Sequence, residues 1–376
     1  MKAIQMTGTG GPEVLQLVEL PEPHPHAGEV KVRLHGAGVN PVDTKLRSRG
    51  VFFERALPAI LGCDGAGTVE QVGADVTALK AGDAVWFCHG GLGREPGNYA
   101  EYTVLPAGVA RNKPAALSFE QAAAAPLVLL TAWEALFDRA ALERGQTVLI
   151  HGGAGGVGHV AIQLARHAGA RVCTTVGSEA NARHVESLGA ELAINYREQS
   201  FVDAVLDWTG GRGVDVALDI MSGQVFIDTF LAMAHYGNLV TLLDPGSSVN
   251  WKEARNRNLR IGFELMLTPM LANLPEARAH QGGILDRCAA LCDAGELNID
   301  VSGTLPLAQA AEAMDRNAQM HGAKSQYYFL NGFTRQAIQQ LQLARRQTGL
   351  TDYETARIQA RLKELKELLA EEEKQK

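Results

Sequence analysis

Thr147-Val148-Leu149-Ile150-His151-Gly152-Gly153-Ala154-Gly155-Gly156-Val157-Gly158 is the stretch on which the fold reading turns. Thr147 to Ile150 are apolar or β-branched and read as a buried parallel strand. The glycine run is a turn, and His159 to His167 carries the chain away as a helix. Gly153, Gly155 and Gly158 fit G-x-G-x-x-G, the pattern with which a strand–turn–helix unit holds a dinucleotide. The first two glycines let backbone approach a pyrophosphate, and the last lets helix and strand pack closely. Free N–H groups and the dipole at the helix start attract the phosphates. The same pattern can be a glycine-rich turn without a ligand. What gives it a nucleotide context is a second strand, Arg171 to Val176, after a short Gly169-containing turn.

The tip of that second strand discriminates between nucleotides. A site for NAD places Asp or Glu there to hold the ribose 2′-hydroxyl. Here the strand runs into Val176-Gly177-Ser178, with no carboxylate. A 2′-phosphate needs the reverse, a small hydroxyl donor and a cation. Ser178 supplies the first, and Arg183 on the next helix can supply the second as a forked donor. The reading is NADPH over NADH. Glu179 is an unfavourable neighbour for a phosphate, and Ser178 can equally be a helix cap with Arg183 solvated.

At 376 residues the chain exceeds the size at which one core keeps growing, so two domains are expected. A net charge of −7 argues against general attraction to nucleic acid or to an anionic membrane. The start, MKAIQMTGTGG, has no apolar leader core, and no stretch approaches the roughly 20 apolar residues of a membrane span. The expectation is a cytoplasmic protein. The five cysteines form no C-x-x-C pair and no disulfide scaffold. Cys288 and Cys292, in an expected helix Ile284 to Ala294, read as small core residues.

The first hundred residues are punctuated by Gly and Pro, with short β-branched runs at Glu29 to Leu34, Gly67 to Val72, Asp83 to Cys88 and Ala100 to Val104. They suggest a compact β-rich unit. Glu120 to Leu136 is helical and broken by Pro126. Strand–helix alternation then takes over, with strands at Thr147 to Ile150, Arg171 to Val176, Leu192 to Asn195, Val214 to Asp219 and Asn238 to Leu243. Such alternation implies right-handed crossovers and a parallel sheet with helices on both faces. After about residue 262, Asp300 to Thr304 and a Pro306 to Met314 helix read as a return to the first unit.

The last segment differs. Gln336 to Gln347 reads as a helix ended by Gly349, and Thr351 with Glu354 forms a capping box. Ile358, Leu362, Leu365 and Leu369 follow at 4-3-4 spacing, the stripe of a short coiled coil or of a docking helix. A charged, partly helical tail is the other reading, since two to three heptads are marginal alone.

Taken together, Gly36-Ala37-Gly38-Val39-Asn40-Pro41-Val42-Asp43, Leu61-Gly62-Cys63-Asp64-Gly65-Ala66-Gly67-Thr68-Val69 and Gly97-Asn98-Tyr99-Ala100-Glu101-Tyr102 carry a family resemblance. Ala125-Pro126-Leu127, Leu130-Thr131-Ala132-Trp133, the glycine fingerprint and Ser187-Leu188-Gly189-Ala190 extend it to about residue 322. The chain resembles the medium-chain dehydrogenase/reductase superfamily, in its zinc-independent quinone oxidoreductase branch. The resemblance implies an α/β protein with a β-rich GroES-like unit at residues 1–120, rejoined by about 263–330. A Rossmann doubly wound parallel sheet at 121–262 would bind NADPH, and a helical extension covers 331–376.

Alcohol-dehydrogenase relatives hold a catalytic zinc. Where they carry a ligand Cys near the start, this chain has Asn40; where they carry Gly-His-Glu, it has Gly62-Cys63-Asp64. Leu127-Val128 stands where a late Cys would fall, and Gly90 to Gly97 replaces the cysteine-rich lobe. Zinc wants three or four converging ligands, and although Cys63, Asp64 and His89 offer some, no metal is expected. Cys63 and Asp64 read more simply as packing and turn residues. Without a metal there is no Lewis acid to polarise an alcohol. The family chemistry that remains is hydride transfer from NADPH to a quinone or to the β-carbon of an α,β-unsaturated carbonyl.

By resemblance, Asn40 sits beside the nicotinamide and the substrate oxygen, where its amide can donate; it can also be only a turn residue before Pro41. Asp43 holds that loop, and Thr131 faces the nicotinamide. Ala154, Gly155, Gly156 and Val157 cradle the pyrophosphate, Tyr196 lines the adenosine phosphate pocket, and Leu242 joins the cofactor-binding set. Lys45 stands where relatives carry tyrosines; it can steady an oxyanion or be a solvated loop lysine. Tyr327 to Leu330 would supply the family's closing strand. A homodimer is the default assembly, with the C-terminal helix as a modifier. An enoyl-thioester reductase and a non-catalytic NADPH-binding interaction protein remain as alternatives.

Overall fold

A computed structural model describes residues 1–53, 56–247 and 249–310, and beyond them Met314, Leu341, 358–359, 361–363 and 365–366. The opening third supplies strands β1 (Lys2–Met6), β2 (Leu15–Glu19), β3 (Glu29–Ala37) and β4 (Ala59–Ile60). After these come β5 (Asp64–Val72), β6 (Ala84–Cys88), β7 (Tyr102–Pro106) and β8 (Arg111–Asn112). Among the described residues they form an antiparallel five-stranded sheet, β7-β3-β5-β6-β8, and a smaller sheet, β2-β1-β4. The two-residue period of a strand explains how the larger sheet is covered on both sides. Val85 and Phe87 join Val30, Val32 and Leu105 in one core. Trp86 and Cys88 face the other way, into the core shared with the rest of the molecule.

Helix α1 (Pro41–Arg49) lies within this unit, and α2 (Phe119–Ala124) and α3 (Pro126–Trp133) lead from it to the next. Pro126, at the first position of α3, is the expected break in the helical run 120–136. A π-helical turn, Glu134–Arg139, follows.

The second unit is a parallel sheet of β9 (Thr147–Ile150), β10 (Arg171–Val176), β11 (Leu192–Asn195), β12 (Val214–Asp219), β13 (Met233–Thr241) and β14 (Arg260–Phe263). Its order, β11-β10-β9-β12-β13-β14, is the doubly wound 3-2-1-4-5-6 arrangement, reversing direction beside β9. Alternation sorts the side chains here too. Val148 and Ile150 enter the core beneath α4 (Gly156–His167), which packs along α3. Leu149, Ala217 and Leu239 enter the opposite core, with α6 (Phe201–Trp208) and α7 (Gly223–Ala232). Between them, α5 (Glu179–Leu188) is capped by Ser178 and closed by left-handed Gly189.

Three expectations need correction. The fifth parallel strand, expected at 238–243, spans Met233–Thr241. The helix expected at 284–294 is α10 (Pro275–Asp293), 19 residues long, with Gly282-Gly283 inside it; α8 (Lys252–Asn256) and α9 (Thr268–Leu271) precede it. Residues 300–304 carry no regular strand, and the expected 306–314 helix begins as a 3-10 turn, Leu307–Gln309. β1, β2, β4, β8 and β14 fall outside every strand expected from the sequence.

In the tail, Leu341, Leu362 and Leu365 are buried in the core that holds Phe226 and Phe230, with Ile358 packed against it. Ile358, Leu362 and Leu365 of the apolar stripe therefore dock on the molecule's own body, as does Leu341 from the expected 336–347 helix. Leu369, the capping box at Thr351 and the expected strand 327–330 lie outside the described residues. Among the described residues, no helix is long and apolar enough to cross a membrane.

Candidate active site

The glycine turn joins the C-terminal end of β9 to α4. Its first helical N–H groups, on Gly156, Val157 and Gly158, precede the first intrahelical bond, His159 N–H to Gly155 O (3.0 Å). Ala154, Gly155 and Gly156 are exposed there and no side chain caps the helix, so its positive end is open to an anion. The three fingerprint glycines divide the work differently from expectation. Gly153 is buried, and a Cβ on it would lie 2.2 Å from Thr174 Oγ1, so it serves packing on β10. A Cβ on Gly158 would lie 2.3 Å from Gly152 O. Gly155 is the least crowded of the three, with Gly152 O at 3.2 Å from a Cβ placed on it.

Buried polar groups fix the turn from below. Gly152 N–H donates to Thr175 Oγ1 (3.0 Å) and Gly153 N–H to Thr175 O (3.0 Å). His151, fully buried, bonds Thr229 Oγ1 (2.9 Å), and burial lowers its pKa to about 4, keeping it neutral.

At the ends of β10 and β11, Tyr196 closes over Gly177 beside Ser178. Ser178 Oγ accepts from Asn181 N–H (3.2 Å) as the cap of α5, which leaves its own hydrogen to donate. Arg183 is exposed and paired with Glu179 (3.2 Å) along the helix. Leu242 is partly buried just past β13, its N–H donating to Asp219 O (3.0 Å).

In the β-rich unit, Asn40 precedes α1 and is 5 % exposed. Its N–H donates to Asp43 Oδ2 (2.8 Å) and its side-chain Nδ2 to Asp64 Oδ2 (2.9 Å). Asp43 also accepts from the Tyr99 hydroxyl (2.9 Å) and from Gly62 N–H (3.3 Å), so it holds the loop. Asp64 accepts in addition from Leu127 N–H (2.9 Å), in the first turn of α3. One turn on, Thr131 donates to Leu127 O (2.7 Å). Both carboxyls are fully buried: burial raises Asp43 to about 6 and Asp64 to about 7, against the hydrogen bonds that stabilise their charged forms.

The structure thus brings Asn40 and Thr131 into one bonded network, and gathers the turn residues 153–158 at one helix start. Lys45 stands outside that network, exposed on α1, its pKa lowered by surrounding protein first and by Arg49 second. Asp64 was read as a turn residue; its two long-range bonds leave no local signal in sequence. His89, the other residue weighed for metal, is buried with Nδ1 accepting from Arg278 (2.7 Å); burial first, then Arg278, lowers it to about 3. Among the described residues, no three His, Cys, Asp or Glu side chains converge as a metal site would require.

Two protein families match in succession: residues 26–115 match the alcohol dehydrogenase GroES-like domain and 188–323 the zinc-binding dehydrogenase domain. Human quinone oxidoreductase is 30 % identical over 335 residues, covering 88 % of this chain and 98 % of that protein. An alcohol dehydrogenase superfamily protein from Novosphingobium aromaticivorans superposes with a TM-score of 0.77 at 36 % identity, covering 84 % of this chain and 94 % of that one. Escherichia coli quinone oxidoreductase, solved complexed with NADPH, superposes at 0.74 with 31 % identity, covering 84 % and 96 %. With this sheet order, this glycine turn and full-length relatives of one kind, the chain belongs to the medium-chain dehydrogenase/reductase superfamily, in its quinone oxidoreductase branch.

Proposed function

We propose that this protein is an NADPH-dependent, zinc-independent oxidoreductase that reduces a quinone or an α,β-unsaturated carbonyl. The observation that supports the reading is the buried amide donor of Asn40, at the position where, by the family resemblance, zinc-dependent relatives carry a ligand Cys. That amide is fixed by Asp64 to the helix bearing Thr131. The cradle suits the nucleotide: exposed Ala154, Gly155 and Gly156 at an uncapped helix start, and Ser178 with Tyr196 where a 2′-phosphate would lie.

NADPH, when bound, supplies the hydride. The chain supplies the rest. The N–H groups of Gly156, Val157 and Gly158 would hold the pyrophosphate, and Ser178, with Arg183 released from Glu179, the ribose phosphate. Asn40 keeps one amide hydrogen beyond its bond to Asp64, and that hydrogen can meet the oxygen on which negative charge develops. Thr131 would border the nicotinamide from α3. Lys45, exposed on α1, would either steady an oxyanion or remain a solvated lysine.

Donor chemistry supports zinc independence. Asn40 and Leu127-Val128 offer no thiolate, Asp64 is committed to Asn40 and Leu127, and His89 to Arg278. The working domains in this reading are 1–120 with about 263–330, and 121–262. Arg278 on His89 and Asp293 on Ala116 N–H (2.8 Å) support the rejoining. We further propose a cytoplasmic homodimer. Five free, buried cysteines suit a reducing compartment, and edge strand β14 with exposed Phe263 and Leu265 suits pairing. Steady-state turnover of an ortho-quinone, a simple enone and a crotonyl thioester, each with NADPH and NADH, tests the reading. Preference for the thioester would favour the enoyl-thioester alternative.

A further inference from the structure

Asp64 joins the two segments proposed to border the nicotinamide. One oxygen accepts from Asn40 Nδ2 and the other from Leu127 N–H, both at 2.9 Å. The Leu127 carbonyl in turn accepts from Thr131 Oγ1 at 2.7 Å. A single carboxylate therefore links Asn40, from the β-rich unit, to the helix that carries Thr131 and packs along the phosphate-binding helix. The approach is tight. A Cβ on Gly38 would lie 2.5 Å from Ala123 O and 3.0 Å from Asp64 Cβ, so the Asn40 loop sits directly on Asp64 and the end of α2.

We infer that Asp64 is a positioning residue for hydride transfer: it fixes which edge of the Asn40 amide faces the acceptor and sets the spacing between Asn40 and Thr131. The inference rests on the proposed reductase reading. Its physical basis is the asymmetry of the groups. An ionised carboxylate only accepts, so Asn40 must turn its NH2 edge toward Asp64 and its second amide hydrogen remains for an acceptor oxygen. In Asp64→Asn the shape is kept but the logic reverses. Leu127 N–H claims the single amide oxygen, the new NH2 faces Asn40, and Asn40 must flip to accept. Misorientation of a donor on this scale costs about 10- to 100-fold in rate.

The groups facing Asp64 are Asp43 from α1, Cys88 from β6, and Cys63 and Tyr99 on adjoining segments. None is a cation. The carboxyl, raised to about 7 by burial and by the Asp43 charge, loses its acceptor-only character as it protonates. The wild-type kcat should fall below neutral pH with an inflection that Asp64→Asn abolishes.

The test is a cycle of wild type, Asn40→Ala, Asp64→Asn and the double variant. Quinone turnover is measured across pH, NADPH affinity by fluorescence titration, and the Asp64 carboxyl is followed by carbon NMR in the nucleotide-free protein. The inference expects Asp64→Asn to lower kcat by about 10-fold or more while NADPH affinity stays within about threefold. The double variant should be no slower than Asn40→Ala alone. In the free protein, Asn40→Ala should move the Asp64 midpoint upward, because a bond favouring the charged form is lost. Wild-type kcat in Asp64→Asn, multiplicative losses in the double variant, or an unmoved Asp64 midpoint would each overturn it. The NMR arm needs neither turnover nor the folding of Asp64→Asn. Absence of quinone turnover in the wild type defeats the reductase reading instead.

Discussion

Tyr196 lays its phenol against the backbone of Gly177, so closely that a Cβ at position 177 would stand 2.3 Å from the hydroxyl oxygen. The contact puts a phenol against Gly177, one residue before Ser178, at the end of β10, where an NAD site would present a carboxylate. Ser178→Asp should therefore reverse the cofactor preference. The NADPH-to-NADH ratio of kcat/KM should fall by about 10- to 100-fold, roughly 1.4–2.8 kcal/mol of like-charge repulsion and ribose recognition. Equal use of both nucleotides by the unmodified protein would defeat the argument.

The glycine turn yields a contrast within one motif. Gly153→Ala drives a methyl into Thr174 and should cost about 1–3 kcal/mol of stability by overpacking. Gly155→Ala meets only the Gly152 carbonyl, at 3.2 Å, so its melting temperature should fall less than that of Gly153→Ala. Its nucleotide affinity should still fall by about tenfold, as the added methyl obstructs phosphate approach. Thermal unfolding and fluorescence titration of both variants separate the two roles.

A buried acid pair makes stability depend on pH. Glu134, on the π-helical turn, is raised to about 8, by burial first and then by the charge of Glu264. Arg139 at 2.9 Å from Glu264 favours Glu264 as the ionised partner. Between the ordinary Glu range and about pH 8 the folded state holds a proton that the unfolded chain releases. That contribution is complete at acid pH and is lost as pH rises through 8. Glu134→Gln keeps an acceptor for Gln281 Nε2, now at 3.1 Å, and donates to Glu264 without a charge. Denaturant titrations from pH 5 to 9 should show a flatter slope in the variant and greater stability at pH 9; parallel curves would contradict the assignment.

Leu341, Leu362 and Leu365 are buried in the core that holds Phe226 and Phe230, so these three leucines belong to the body. Each leucine contributes roughly 1.5–3 kcal/mol before ordering entropy, which offsets much of it. Truncation after Gly332 should lower the melting temperature by several degrees and expose apolar surface to a dye such as ANS. Quinone turnover below that temperature should stay within a few-fold. An unchanged melting temperature would mean that these leucines stabilise nothing.

The nucleotide half was legible because its signals are local. Thr147–Gly158 holds strand, turn and helix start in twelve consecutive residues, and four of the six parallel strands fell on their expected residues. β14 was missed because Arg260-Ile261-Gly262-Phe263 is only four residues, interrupted by a glycine, too short for its alternation to stand out. α10 was shortened because Gly282-Gly283 resembles a turn, although Gly282 is the close approach for Arg111. The site's acid escaped for a different reason. Asp64 meets Asn40 across 24 residues and Leu127 across 63, and a bond between distant segments has no spacing to detect. The docking of Leu362 and Leu365 was visible as a stripe, but not what the stripe covers.

The most direct test of the central claim is NADPH consumption with an ortho-quinone, measured on protein dialysed against a strong chelator and analysed for zinc. The account predicts quinone-dependent NADPH oxidation at the rate of the undialysed enzyme, with zinc well below stoichiometric. Turnover that collapses on dialysis and returns with zinc would contradict it, and so would NADPH consumption no faster than without protein.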